Sequence, residues 1–125
     1  MIWQVTWNKK LYDYKRVISD YRNGRHTGFI KQSKGMAKMR TEPQIGDVVF
    51  ISCDKLKIMK CKVVSGFVEN EQEMSDDYHT VTTDLRPHTR NNILLMMQIV
   101  EVFDEPVRML GYQRTWVKKE YNSVE

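Results

Sequence analysis

At 125 residues, with 41% hydrophobic and 29% charged side chains, the chain holds enough apolar material for one buried core and too much to stay disordered. A single domain spanning 1–125 is expected. No apolar run approaches the roughly 18 residues needed to cross a bilayer, and the opening MIWQVTWNKK places its charges after the apolar stretch, the reverse of a secretory leader. Two cysteines, Cys53 and Cys61, make no disulfide framework. They predict reduced thiols and an intracellular compartment, cytoplasmic or nuclear.

Charge is divided unevenly. Up to Arg40 there are ten Lys or Arg residues against Asp13 and Asp20, a balance of +8. With a net charge of +4, the remainder carries −4, and its acids gather between Glu69 and Asp84 and from Glu101 to Glu105. A basic half of this kind is the footprint of a polyanion partner, nucleic acid above all. A merely solvated basic face would look the same in sequence.

In chain order, Trp3, Val5 and Trp7 alternate with Ile2, Gln4 and Thr6, which predicts a strand. Asn8 is a good helix N-cap, and Leu11, Tyr14, Val17, Ile18 and Tyr21 form one stripe of a helix running to about Arg22. Asn23-Gly24 ends it. From Arg25 to Gln44 no periodicity holds, so a long polar loop is expected, with a short helical turn at Ala37 to Arg40.

Ile45-Gly46-Asp47 leads into the apolar strand Val48 to Ser52, Asp54 to Lys57 turns the chain, and Ile58 to Val64 returns. In that return Met59, Cys61 and Val63 point inward and Lys60 and Lys62 outward. Glu69 to Asn92 reads as an acidic surface excursion. Ile93 to Phe103 is the longest β-rich run, and strict alternation would put Gln98 and Glu101 on opposite faces, which predicts a bulge or a strongly twisted barrel strand. Asp104-Glu105-Pro106 interrupts the run before Val107 to Met109 resumes it. In the last strand Tyr112, Arg114, Trp116 and Lys118 share a face. Five or six strands with one or two helices predict an α+β fold built on a small mixed β-barrel.

The ordered set of motifs resembles the PUA-like superfamily and, within it, EVE-type domains. The aromatic strand Trp3 to Trp7 entering a helix at Asn8, the Gln44 to Ser52 stretch with its Gly46-Asp47 turn, and Leu94 to Pro106 followed by Val107 carry the likeness. It covers about two thirds of the chain. Four features depart from the pattern. The helix cap lacks proline, Phe29 stands where a loop tryptophan is usual, the acidic excursion of Glu69 to Asn92 is poorly matched, and the GYQRTW ending at Gly111 to Trp116 has no counterpart. The resemblance implies a reader rather than an enzyme, one that accepts a single-stranded or modified base of RNA or DNA in an aromatic pocket.

On that reading Trp7, Phe29, Ser52 and Trp116 border the base pocket, with Asn8 at the helix entry. Ser52, by the same resemblance, contacts a base edge. Arg25, Lys31, Lys34, Lys38 and Arg40 hold the phosphates, joined by Arg114 beside Trp116. Trp3 is assigned to the core; Trp7 and Trp116 suit either a ring-stacking surface or the interior. No close Cys or His pair suggests zinc, no nucleophile or phosphate-loop motif suggests catalysis, and no cofactor is expected. The alternative is an assembly module of the same fold, docking an acidic partner or another copy of itself across its divided charge.

Overall fold

The structure is a computed structural model that describes residues 1–7, 13–34, 41–53, 55–69, 93–108 and 116–119, with the side chains of 106–108 and 116–119 left out. Six strands and one helix follow in the order β1 (Ile2–Trp7), α1 (Tyr14–Arg22), β2 (Phe29–Ser33), β3 (Val48–Cys53), β4 (Leu56–Glu69), β5 (Ile93–Arg108) and β6 (Trp116–Lys119). They form one mixed sheet in the order β2-β5-β4-β3-β1-β6. The β1–β3 pair is parallel and all other ladders are antiparallel. The fold is therefore a small α+β one.

Alternation decides which face is buried. Trp3, Val5 and Trp7 of β1 line up with Val49, Ile51 and Cys53 of β3. Met59, Cys61 and Val63 of β4, Leu95, Met97 and Ile99 of β5 and Ile30 of β2 extend the same apolar layer. Helix α1 covers it through Val17, with Tyr14, Ile18 and Tyr21 packed alongside. Both cysteines lie buried inside this layer, and burial pushes the Cys61 thiol up to about 12.

The helix N-cap is Asp13, whose carboxylate accepts the Arg16 N–H at 3.2 Å. It lies five residues beyond the expected Asn8 cap, and residues 8–12 fall outside the described residues. Asn23 closes the helix as expected, with Gly24 following at φ 73°. The region expected to be a long loop contains β2. Its pattern is concealed because it inverts at two positions: apolar Phe29 faces out and polar Gln32 faces in. Gly28 precedes it at φ 87°, and a Cβ there would meet the Tyr21 ring at 3.3 Å.

Of the two expectations for β5, a bulge or a strongly twisted strand, a bulge is present. Lys60 pairs with Glu101 and Cys61 with Ile99, so Val100 is the extra residue. The interruption expected at Asp104 to Pro106 is instead a larger bulge within one strand. Met59 pairs with Val102 and Lys57 with Val107, leaving residues 103–106 opposite Ile58 alone. A proline placed there removes no ladder hydrogen bond.

These irregularities bend the sheet. Trp7 and Gln32 sit on strands four ladder steps apart, which a flat sheet would separate by about 19 Å. Yet the Trp7 indole N–H donates to Gln32 Oε1 at 2.8 Å. The sheet therefore curls around its core. No ladder joins β2 to β6 among the described residues, so the sheet is open rather than a closed barrel.

Asp47, in the turn before β3, ties the open end of β1 to β3. It accepts hydrogen bonds from the Trp3 indole at 3.0 Å, the Gln44 N–H at 2.9 Å and the Met1 ammonium at 3.2 Å. Burial alone would raise its carboxyl pKa, but these donors outweigh burial and hold it below the ordinary 3.8. A depressed pKa stabilises the fold above 3.8 and is lost as pH falls through the native value. Asp47→Asn should accordingly flatten the acid limb of the urea midpoint against pH between about pH 4 and pH 2. An unchanged limb would show that Asp47 does not titrate with folding.

Candidate nucleic-acid interface

The face of the sheet turned away from α1 is polar and basic. Register places Phe29, Gln98, Lys62, Val48 and Ile2 in one row across β2, β5, β4, β3 and β1. The neighbouring row carries Glu101, Lys60, Phe50 and Gln4. Beyond it stand Lys57, Ser52 and Thr6. Lys31, two residues along β2 from Phe29, shares the face. Residues two apart on a strand are separated by about 7 Å, and strands two ladders apart by about 10 Å. Phe29, Lys31, Lys60 and Lys62 thus lie within one patch a few residues wide.

Phe29 is 46% exposed, an uncommon position for a phenyl ring. Lys31 and Lys62 are exposed and Lys60 half-buried, and among the described residues none of the three forms an ion pair. Glu101 opposes Lys60 across the ladder and is the acid within these rows. Among the described residues the patch combines ammonium groups that form no ion pair with a flat apolar ring, the pairing used to hold a nucleic-acid backbone while a base stacks.

The expected site residues divide between the two faces. Trp7 lies on the core face, 7% exposed, with its indole bonded to Gln32, so it lines no open pocket. Ser52 lies on the basic face but is fully buried; its hydroxyl is 3.1 Å from Thr6 Oγ1 and 3.4 Å from the Val5 carbonyl oxygen. Phe29 and Lys31 are together on the surface. Arg25 projects from the loop after α1, donating to Asp20 at 3.3 Å. Lys34 is engaged by Glu42 at 2.6 Å and lies 5.6 Å from the centre of the Phe67 ring. Trp116 pairs with Val5 by backbone register. Asn8, Lys38, Arg40 and Arg114, and the Trp116 side chain, lie outside the described residues.

Sequence reasoning assigned no binding role to Lys60 and Lys62, although their outward alternation in β4 was legible. It also passed over Lys57, Phe50 and Phe103. The Lys57 ammonium lies 4.6 Å from the centre of the Phe50 ring and 5.9 Å from that of Phe103, and burial pulls its pKa below the ordinary 10.5. Among the described residues, no three His, Cys, Asp or Glu side chains gather as metal ligands, and no helix is long and apolar enough to cross a membrane. No protein-family model matches the chain, and no curated protein matches it.

Proposed function

We propose that this chain is a non-catalytic, intracellular nucleic-acid-binding module that holds single-stranded RNA or modified DNA on the basic face of its sheet and reads a base there. The observation that carries the reading is the patch of Lys31, Lys60 and Lys62 around the exposed Phe29 ring. Ammonium groups that form no ion pair among the described residues are placed to meet phosphates, and a half-exposed phenyl ring offers a base a stacking surface. The strong curl of the sheet, drawn by the Trp7–Gln32 bond, is compatible with the PUA-like, EVE-type barrel that the sequence resembles. In this reading Phe29 replaces Trp7 as the ring nearest the nucleic acid.

Binding of a labelled single-stranded RNA ten-mer, followed by fluorescence anisotropy, tests it. Three phosphate contacts give a slope near −2 in log affinity against log salt, so affinity should fall about 20-fold between 50 and 200 mM salt. A flat profile would remove the polyanion reading and leave the face to an acidic protein partner.

A further inference from the structure

Phe29 and Gln98 face each other across the β2–β5 ladder, and Lys62 follows Gln98 in the same row. One step back along the strands, the Ile99 N–H donates to the Gly28 carbonyl at 2.7 Å. Hydrogen-bonded and open pairs alternate along antiparallel strands, so Phe29 and Gln98 form an open pair. Side chains stand closest in such pairs, with Cβ atoms about 4.5–5.5 Å apart. Two side chains of the preceding turn hold Phe29 in place. Thr27 Oγ1 accepts its N–H at 3.3 Å, and His26 Nδ1 accepts that of Gly28 at 2.9 Å.

Beside the ring the chemistry is uneven. Strand β2 lies at the end of the sheet order, so the register neighbours of Phe29 on this face are Gln98 across the ladder, Lys31 along the strand and Met96 on the diagonal. A lysine only donates, and a thioether sulfur is a weak acceptor. Gln98 carries a strong acceptor and a donor side by side, is exposed, and makes no side-chain hydrogen bond with any described residue. Gln4, also on this face, is 2% exposed and closed to a ligand. Glu101 lies past the Val100 bulge, one row on, opposite Lys60. A base laid flat on the Phe29 ring therefore brings its edge over the Gln98 amide.

We propose that Gln98 reads the edge of a base stacked on Phe29, its Oε1 accepting from a base N–H or amine and its Nε2 donating to the adjoining ring nitrogen or carbonyl. The inference rests on the nucleic-acid reading above and divides its labour. Lys31, Lys60 and Lys62 hold phosphates of any sequence, whereas Gln98 answers only to the base. By turning its amide over, a glutamine offers the same two bonds to adenine, cytosine and uracil. The discrimination is thus between an open base edge and a blocked one. A base alkylated on that edge keeps its stacking face and its phosphates, but it covers the amide without giving it a partner.

Two pairs of labelled hexamers, uridine with N3-methyluridine and adenosine with N6,N6-dimethyladenosine, titrated against the protein and its Gln98→Leu variant, test the assignment. The unaltered protein should bind each open hexamer at least about fivefold more tightly than its blocked counterpart. Gln98→Leu should bind the two members of each pair within about twofold of one another and keep the parent's slope of log affinity against log salt. Its melting temperature should stay within about 3 °C of the parent's, because the residue is exposed. Equal binding of open and blocked hexamers by the unaltered protein overturns the assignment and leaves the nucleic-acid reading standing. So does a Gln98→Leu variant that keeps the preference, which would give it to the Phe29 ring alone, or one whose salt slope falls, which would place Gln98 among the phosphate contacts. Failure of every hexamer to bind overturns the nucleic-acid reading itself.

Discussion

Truncating Trp7 to alanine should cost the fold about 3–5 kcal/mol, a large share of the 5–15 kcal/mol typical of a small domain. The indole is a buried member of the core cluster, so its removal leaves a cavity. It also strands Gln32 Oε1, which would remain buried without the donor it now has. Trp7→Phe separates these two effects. It keeps most of the ring volume and removes only the N–H, for an expected loss of about 1–3 kcal/mol in urea unfolding. Its affinity for single-stranded RNA should stay within twofold of the parent, because the ring faces the interior. A Trp7→Phe protein that folds normally and no longer binds would return Trp7 to the ligand site.

The second large effect concerns the exposed lysines. Replacing Lys31, Lys60 and Lys62 together by glutamate changes the net charge by −6, from +4 to −2. At 50 mM salt, counterion release for three phosphates is worth between two and three orders of magnitude in affinity relative to 1 M salt. The triple variant should lose about that factor, and its salt dependence should shallow by about 2 in slope. Since the lysines lie at the surface or half-buried, unfolding should change little per site. A loss of affinity with the salt slope intact would mean that the phosphates are held elsewhere.

Much of the sheet was readable as pattern. Alternation placed Trp3, Val5 and Trp7 together, set Met59, Cys61 and Val63 against Lys60 and Lys62, and exposed the parity clash between Gln98 and Glu101 that Val100 resolves. Alternation does not say which side of a strand the helix will cover. That missing fact moved Trp7 from a pocket wall to the core. Strand β2 escaped because its polar residue is inside, bonded to an indole 25 positions away, a pairing that exists only once the sheet has curled. Proline and two acids suggested a break in β5 because a bulge and a strand end use the same residues.

The candidate site was legible in its chemistry and misplaced in its location. Phe29 and Lys31, paired by the basic stretch and by the likeness to EVE-type domains, do lie on one face of β2. Lys34, named with them, is held by Glu42, an ion pair formed eight residues away that no charge count foresees. Gln4 drew no notice because an isolated glutamine in a strand is ordinary; what sets it apart is burial with an amide oxygen that has no hydrogen-bond partner among the described residues.

The parallel pairing of β1 with β3 joins residues 46 positions apart, Thr6 with Ser52 for instance. Strands β3 and β4, by contrast, meet across a tight turn and can zip within microseconds of emerging. On the ribosome, then, the two tryptophans of the first strand are synthesised early and must wait, unshielded, for more than forty further residues before their partner exists. A separation of this length must be closed before the pairing rewards it, which slows that step and lengthens the time β1 stands open to misassociation in the nascent chain.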